Sequence, residues 1–166
     1  KIDTSDFEFE DVKVTYDGLE HQPKFKGNLP VGVYANLVSG KIVNAGNYTA
    51  YIEFKSSNKN YIHPQNLVAQ VEILPKPILL EFSEYTNLVE DGSVHPVTIR
   101  LLGTIEDDFE DYTVTYSASP IKAGIYKVTV NLNANSNYTI LSSNSLTYEI
   151  LTNNKTYVGD GVVINI

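Results

Sequence analysis

The sequence contains no cysteine, no methionine and no tryptophan. Without Cys there is no disulfide, no thiolate metal site and no cysteine nucleophile. The Cys–Trp–Cys core of antibody domains is excluded with it. With no Met, the sequence is expected to begin inside a longer gene product or after a processed segment. Cationic charge is scarce: 12 Lys and Arg, with Arg100 the single Arg, stand against 20 Asp and Glu, for a net charge of −8. Such a surface repels phosphate and anionic lipid, so nucleic acid is not expected as a partner. No apolar run approaches the roughly 20 residues that span a bilayer, so no membrane insertion is expected. Nor does any segment of about ten residues carry a 3.6-residue apolar stripe, which argues against helical architectures.

What is present is a repeat. Ala45-Gly46-Asn47-Tyr48-Thr49-Ala50-Tyr51-Ile52-Glu53-Phe54 returns as Ala123-Gly124-Ile125-Tyr126-Lys127-Val128-Thr129-Val130-Asn131-Leu132. Asn58, Asn60 and Tyr61 return as Asn135, Asn137 and Tyr138, and Glu72-Ile73-Leu74 as Glu149-Ile150-Leu151. Upstream, Asp17-Gly18 with His21 matches Asp91-Gly92 with His95. Preserved order over a long period means two copies of one module, with small indels in the loops. The chain's 166 residues, 42% hydrophobic and including 12 Tyr and 6 Phe, suffice for two small packed cores.

Periodicity identifies the module. Tyr48, Ala50, Ile52 and Phe54 alternate with Thr49, Tyr51 and Glu53, and the second copy alternates in the same way. Leu67, Ala69, Val71 and Ile73 repeat the pattern, as do Leu146, Tyr148 and Ile150. A period of two marks a strand with one face on a core and one in water. Weaker strands are predicted near 7–15, 23–26, 33–38, 77–82, 95–102 and 112–117. Each apolar face needs a second sheet to cover it. The expected fold is therefore all-β: two tandem immunoglobulin-like antiparallel β-sandwich modules without disulfides. The modules are expected at 1–75 and 76–152. Their joint is Leu74-Pro75-Lys76-Pro77, where two prolines fix φ and stiffen the linker. Residues 153–166 fit neither copy and are read as the start of a third module or as an extra edge strand.

These motifs carry a resemblance. Val14-Thr15-Tyr16-Asp17-Gly18, then Ala45-Gly46-Asn47-Tyr48-Thr49-Ala50, Asn60-Tyr61 and the exit Val71-Glu72-Ile73 resemble the "YDG/MBG" class of bacterial immunoglobulin-like repeats. The match covers about 7–75 in the first copy and the second half of the second copy, where Leu88-Val89-Glu90-Asp91-Gly92 departs from the Tyr-Asp-Gly pattern. The resemblance implies tandem arrays in large secreted or wall-anchored, adhesin-like proteins at the bacterial cell surface. It carries over no catalytic residue.

The candidate sites each have a plainer explanation beside them. Asp17-Gly18 and Asp91-Gly92 are turn dipeptides. Ala45-Gly46 and Ala123-Gly124 let the chain turn into a strand, and they lack the helix of a phosphate loop. Asn58-x-Asn60-Tyr61 and Asn135-x-Asn137-Tyr138 place Asn donors beside an aromatic, as a sugar site would; a buried Tyr corner with Asn in its loop explains them more simply. The metal candidate is the run Glu106 to Asp111, in which Asp107, Asp108, Glu110 and Asp111 offer the hard oxygens calcium takes. It lacks the spacing of an EF-hand loop, so a solvated acidic loop is the simpler reading and no cofactor is expected. His21, His63 and His95 are scattered without zinc spacing, and no Gly-x-Ser-x-Gly elbow is present.

The expectation from sequence is a non-catalytic, extracellular spacer whose partners are adjacent repeats of the same chain, monomeric in itself. Two alternatives stand beside it: an adhesive module for a glycan or host matrix protein, using exposed aromatics such as Tyr34 and Tyr51, and an accessory domain of a secreted hydrolase. A surface aromatic cluster in one module but not the other would favour adhesion.

Overall fold

The computed structural model describes residues 2–57, 59–83, 86–106, 108 and 112–154, with the backbone of strands at 156–159 and 162–165. The described residues contain strands, turns and loops and no helix. No helix among them is long and apolar enough to cross a membrane. The chain divides into two compact units. Unit 1 joins Lys1–Lys76 to two later segments, Ile105–Asp107 and Asn135–Thr139; unit 2 holds Pro77–Thr104, Asp108–Ala134 and Ile140–Ile166. The Asn-Tyr loop that the repeat places in the second copy is thus part of unit 1.

Unit 1 is built on a four-stranded sheet. Its strands are β2 (Val12–Thr15), β4 (Val33–Val38), β5 (Gly46–Ser56) and β6 (Leu67–Leu74), in the order β2-β6-β5-β4. The short strands β1 (Glu8–Phe9) and β3 (Phe25–Lys26) pair beside it. Alternation along β5 and β6 buries Ala50, Ile52, Phe54, Ala69, Val71 and Ile73 on one face, as the pattern predicts. Burial of each large aliphatic contributes about 1.5–3 kcal/mol. Phe54 stacks on Phe7 at 5.4 Å and meets Phe25 edge-on at 5.7 Å, so aromatic rings close this end of the core. One expectation fails: the sheet is not antiparallel throughout. β2 runs parallel to β6, with Val12 opposite Val71 and Thr15 opposite Leu74. The entering strand lies along the exiting one, which a local hairpin cannot produce.

Unit 2 repeats β5 and β6 as β10 (Gly124–Leu132) and β12 (Ser145–Ile150). With β9 (Tyr112–Tyr116) they form a sheet of order β12-β10-β9. In a second sheet β7 (Lys76–Phe82) pairs antiparallel with β8 (Ile99–Leu102), while β11 (Tyr138–Ile140) begins within the Asn135–Thr139 segment of unit 1. The core gathers Val97, Tyr126, Val128, Tyr148 and Ile150, with Phe82, Leu88, Tyr116 and Leu146 packed against it. The counterpart of β2 shrinks to one parallel bridge, Val89 to Leu151. Just before it Asn87 has φ 57°, a left-handed conformation that Asn tolerates and a strand does not continue through. In the tail, β13 (Thr156–Gly159) and β14 (Val162–Asn165) pair antiparallel with one another.

Candidate functional site

Of the four acidic residues singled out for metal, Asp107, Glu110 and Asp111 lie outside the described residues; Asp108 is half-buried. Among the described residues, no group of three or more His, Asp or Glu side chains is arranged to hold a metal ion. His63 is exposed.

The two Asp-Gly turns share one construction. Asp17 Oδ1 accepts the Leu19 N–H at 2.9 Å and contacts His21 Nε2 at 2.8 Å. Asp91 Oδ1 accepts the Ser93 N–H at 2.8 Å and lies 3.0 Å from His95 Nε2. Gly18 and Gly92 hold φ of 79° and 85°, which a side chain rarely adopts. Both are aspartate-capped turns with a histidine beside the carboxylate; the contact is a hydrogen bond at His21, whereas His95 Nε2 lies close to Asp91 without hydrogen-bond geometry. The bond from His21 and then that from the Leu19 amide hold the Asp17 carboxyl below its ordinary 3.8. The Ser93 amide, chiefly, does the same for Asp91. A carboxylate depressed on folding contributes stability above its unfolded pKa, and this is lost as pH falls through the folded value. The melting temperature should therefore drop as pH goes below about 3.8. In an Asp17→Asn, Asp91→Asn double variant, thermal melts between pH 2 and 6 should show a shallower acid decline; an unchanged decline would remove these turns from the acid response.

The Ala-Gly-x-Tyr motif has a purpose that sequence reasoning missed. Tyr48 Oη donates to the Asn44 carbonyl at 3.0 Å, and Tyr126 Oη to the Lys122 carbonyl at 2.9 Å. Each ring folds back over the glycine two residues before it. A Cβ on Gly46 would meet the Tyr48 ring at 3.3 Å. The tyrosine corner thus belongs to Tyr48 and Tyr126, not to Tyr61 and Tyr138. Tyr138 is buried in unit 1, edge-on to Tyr16 at 5.6 Å, and its hydroxyl accepts the Ile105 N–H at 3.1 Å. Tyr61 is half-buried, so the two Asn-Tyr loops are not equivalent. Within unit 1 the Asn137 carboxamide is engaged at both its oxygen and its nitrogen. Its Oδ1 accepts the Ala45 N–H at 2.7 Å and its Nδ2 donates to Asn44 Oδ1 at 3.2 Å. These bonds tie the carboxamide to the Ala45 backbone and to a second side chain.

No family model, no curated protein and no solved structure matches the chain.

One surface differs in kind between the units. On the outward face of the unit 1 sheet, Val38 lies opposite Tyr51, and Tyr51 opposite Val68. The three are 43%, 42% and 52% exposed, and form an apolar row across three strands. Farther along the same face are Asn36, beside Glu53, and Tyr34, 59% exposed, beside Lys55. Thr49 and Gln70 flank the row on the other side, joined by a 3.1 Å hydrogen bond. The corresponding row of unit 2 is Thr115, Thr129 and Ser145. Tyr51 is visible as an outward residue from alternation alone; Val38 and Val68 join it only once the strand register is known.

Proposed function

We propose that the chain is a non-catalytic tandem segment of a bacterial cell-surface protein, a spacer that presents distal domains. The observation that carries it is the construction shared by the units: the same aspartate-capped turn and the same tyrosine corner over glycine recur in both. These are scaffold features, and what a chain duplicates when it duplicates scaffold is length. The adhesive alternative has one specific observation in its favour. The row Val38–Tyr51–Val68, extended by Asn36 and Tyr34, joins apolar and aromatic surface to polar groups in unit 1, while unit 2 carries Thr and Ser there. An exposed tyrosine with amide neighbours suits the apolar face and hydroxyls of a glycan.

A binding screen of the whole chain against glycan and matrix-protein panels, with calcium and with chelator, separates the two. Silence from a folded chain is the expected result for a spacer. Saturable binding that Tyr51→Ala lowers about tenfold or more, the scale of one lost aromatic anchor, would establish adhesion through unit 1. Circular dichroism would confirm that the variant is folded, since Tyr51 faces outward.

A further inference from the structure

The units end differently at one position. The backbone bond from the Tyr16 N–H to the Leu74 carbonyl (2.8 Å) in unit 1 recurs in unit 2 from the Glu90 N–H to the Leu151 carbonyl (3.0 Å). Glu90 therefore stands where Tyr16 stands, Ala123 where Ala45 stands, and Asn153 where Lys76 stands. In unit 1 the Ala45 and Lys76 amides are both held by Asn137. Its side-chain Oδ1 takes the first at 2.7 Å and its backbone carbonyl the second at 2.8 Å. In unit 2 the two matching amides are both held by Glu90. Its Oε2 takes the Ala123 N–H at 2.9 Å, and its Oε1 takes the Asn153 N–H at a longer 3.5 Å.

We infer that Glu90 is an internal plug: its carboxylate fills in unit 2 the two-amide site that an Asn-Tyr loop fills in unit 1, and so closes that end of unit 2 to such a loop. The two amides of unit 2 already have an acceptor of their own. Tyr16 leaves the amides to an outside acceptor and turns its ring edge-on to Tyr138. Glu90 brings its own acceptor, and an incoming Asn carbonyl would meet carboxylate oxygens that are themselves acceptors. A single residue thus determines whether a strand end of this construction receives an Asn-Tyr loop or stands closed. The plug holds whether or not the chain serves as a spacer, because it concerns one carboxylate and two amides.

Residue-resolved amide hydrogen exchange on the whole chain tests it. Glu90→Ala should accelerate exchange at Ala123 and Asn153 by roughly tenfold or more, as loss of a charged hydrogen-bond acceptor implies, and leave Ala45 and Lys76 unchanged. Asn137→Ala should accelerate Ala45 and leave Ala123 alone. Glu90→Gln keeps the length and one acceptor oxygen, and should retain the protection of Ala123. Unchanged exchange at Ala123 in Glu90→Ala would overturn the plug. So would equal acceleration in the Gln and Ala variants, or acceleration spread evenly over unit 2.

Discussion

Replacing Tyr138 with Ala should destabilise unit 1 by about 3–5 kcal/mol, the range for removing a buried aromatic. The ring is 3% exposed and stands edge-on to Tyr16 at 5.6 Å, so the variant loses apolar burial and an aromatic pair and leaves a cavity. It also strips the acceptor from the Ile105 N–H, now 3.1 Å from the Tyr138 hydroxyl. Tyr138→Phe isolates this last part and should cost about 1 kcal/mol. Urea unfolding of the whole chain, followed by amide signals of β5 and β6, reads the effect where it falls. A loss below about 1 kcal/mol for the Ala variant would show that the ring is not core to unit 1. Tyr138 lies more than sixty residues beyond the end of β6 in the chain. Its effect on β5 and β6 follows only from where the compact unit places it.

That placement marks the limit of what can be read in a sequence. Period-two alternation located β5, β6, β10 and β12 to within two residues at each end, because one buried face leaves a signal that needs no partner. The inner residues Ala50, Ile52, Val71, Val128 and Ile150 were legible for the same reason. Whatever depends on a partner strand was not. The parallel pairing of Val12–Thr15 with Val71–Leu74 joins segments whose local pattern says nothing about direction. The apolar row Val38–Tyr51–Val68 is a property of register across three strands, and its members lie in three separate segments of sequence. Glu90 was visible as a departure from the Tyr-Asp-Gly pattern, yet its meaning required the Ala123 amide to stand 2.9 Å away. Repetition announced that Asn-Tyr mattered in both copies. It did not announce that Tyr138 would be buried and Tyr61 only half-buried.

Tyr126→Ala is the corresponding test in unit 2, with an expected loss of about 3–5 kcal/mol. Tyr126 is buried beside Tyr148 at 6.0 Å within the cluster of Val97, Val128 and Ile150, so its removal opens the middle of that core. Tyr126→Phe keeps the ring and loses the 2.9 Å bond to the Lys122 carbonyl, and should cost about 1 kcal/mol. The glycine beneath the ring supplies a second readout of the same corner. Gly124 has φ 154° and Gly46 has φ 151°, both strained for any residue with a side chain. Substitution by Ala should therefore cost each unit about 1–3 kcal/mol. The two should differ in order. A Cβ at Gly124 would sit 3.7 Å from the Tyr126 ring, an ordinary contact, whereas at Gly46 it would sit 3.3 Å from Tyr48, so that ring must shift. Gly46→Ala should thus cost more than Gly124→Ala, as read from chemical denaturation resolved by unit. The reverse order would mean that backbone strain alone, and not the ring folded over the glycine, sets the requirement for Ala-Gly-x-Tyr.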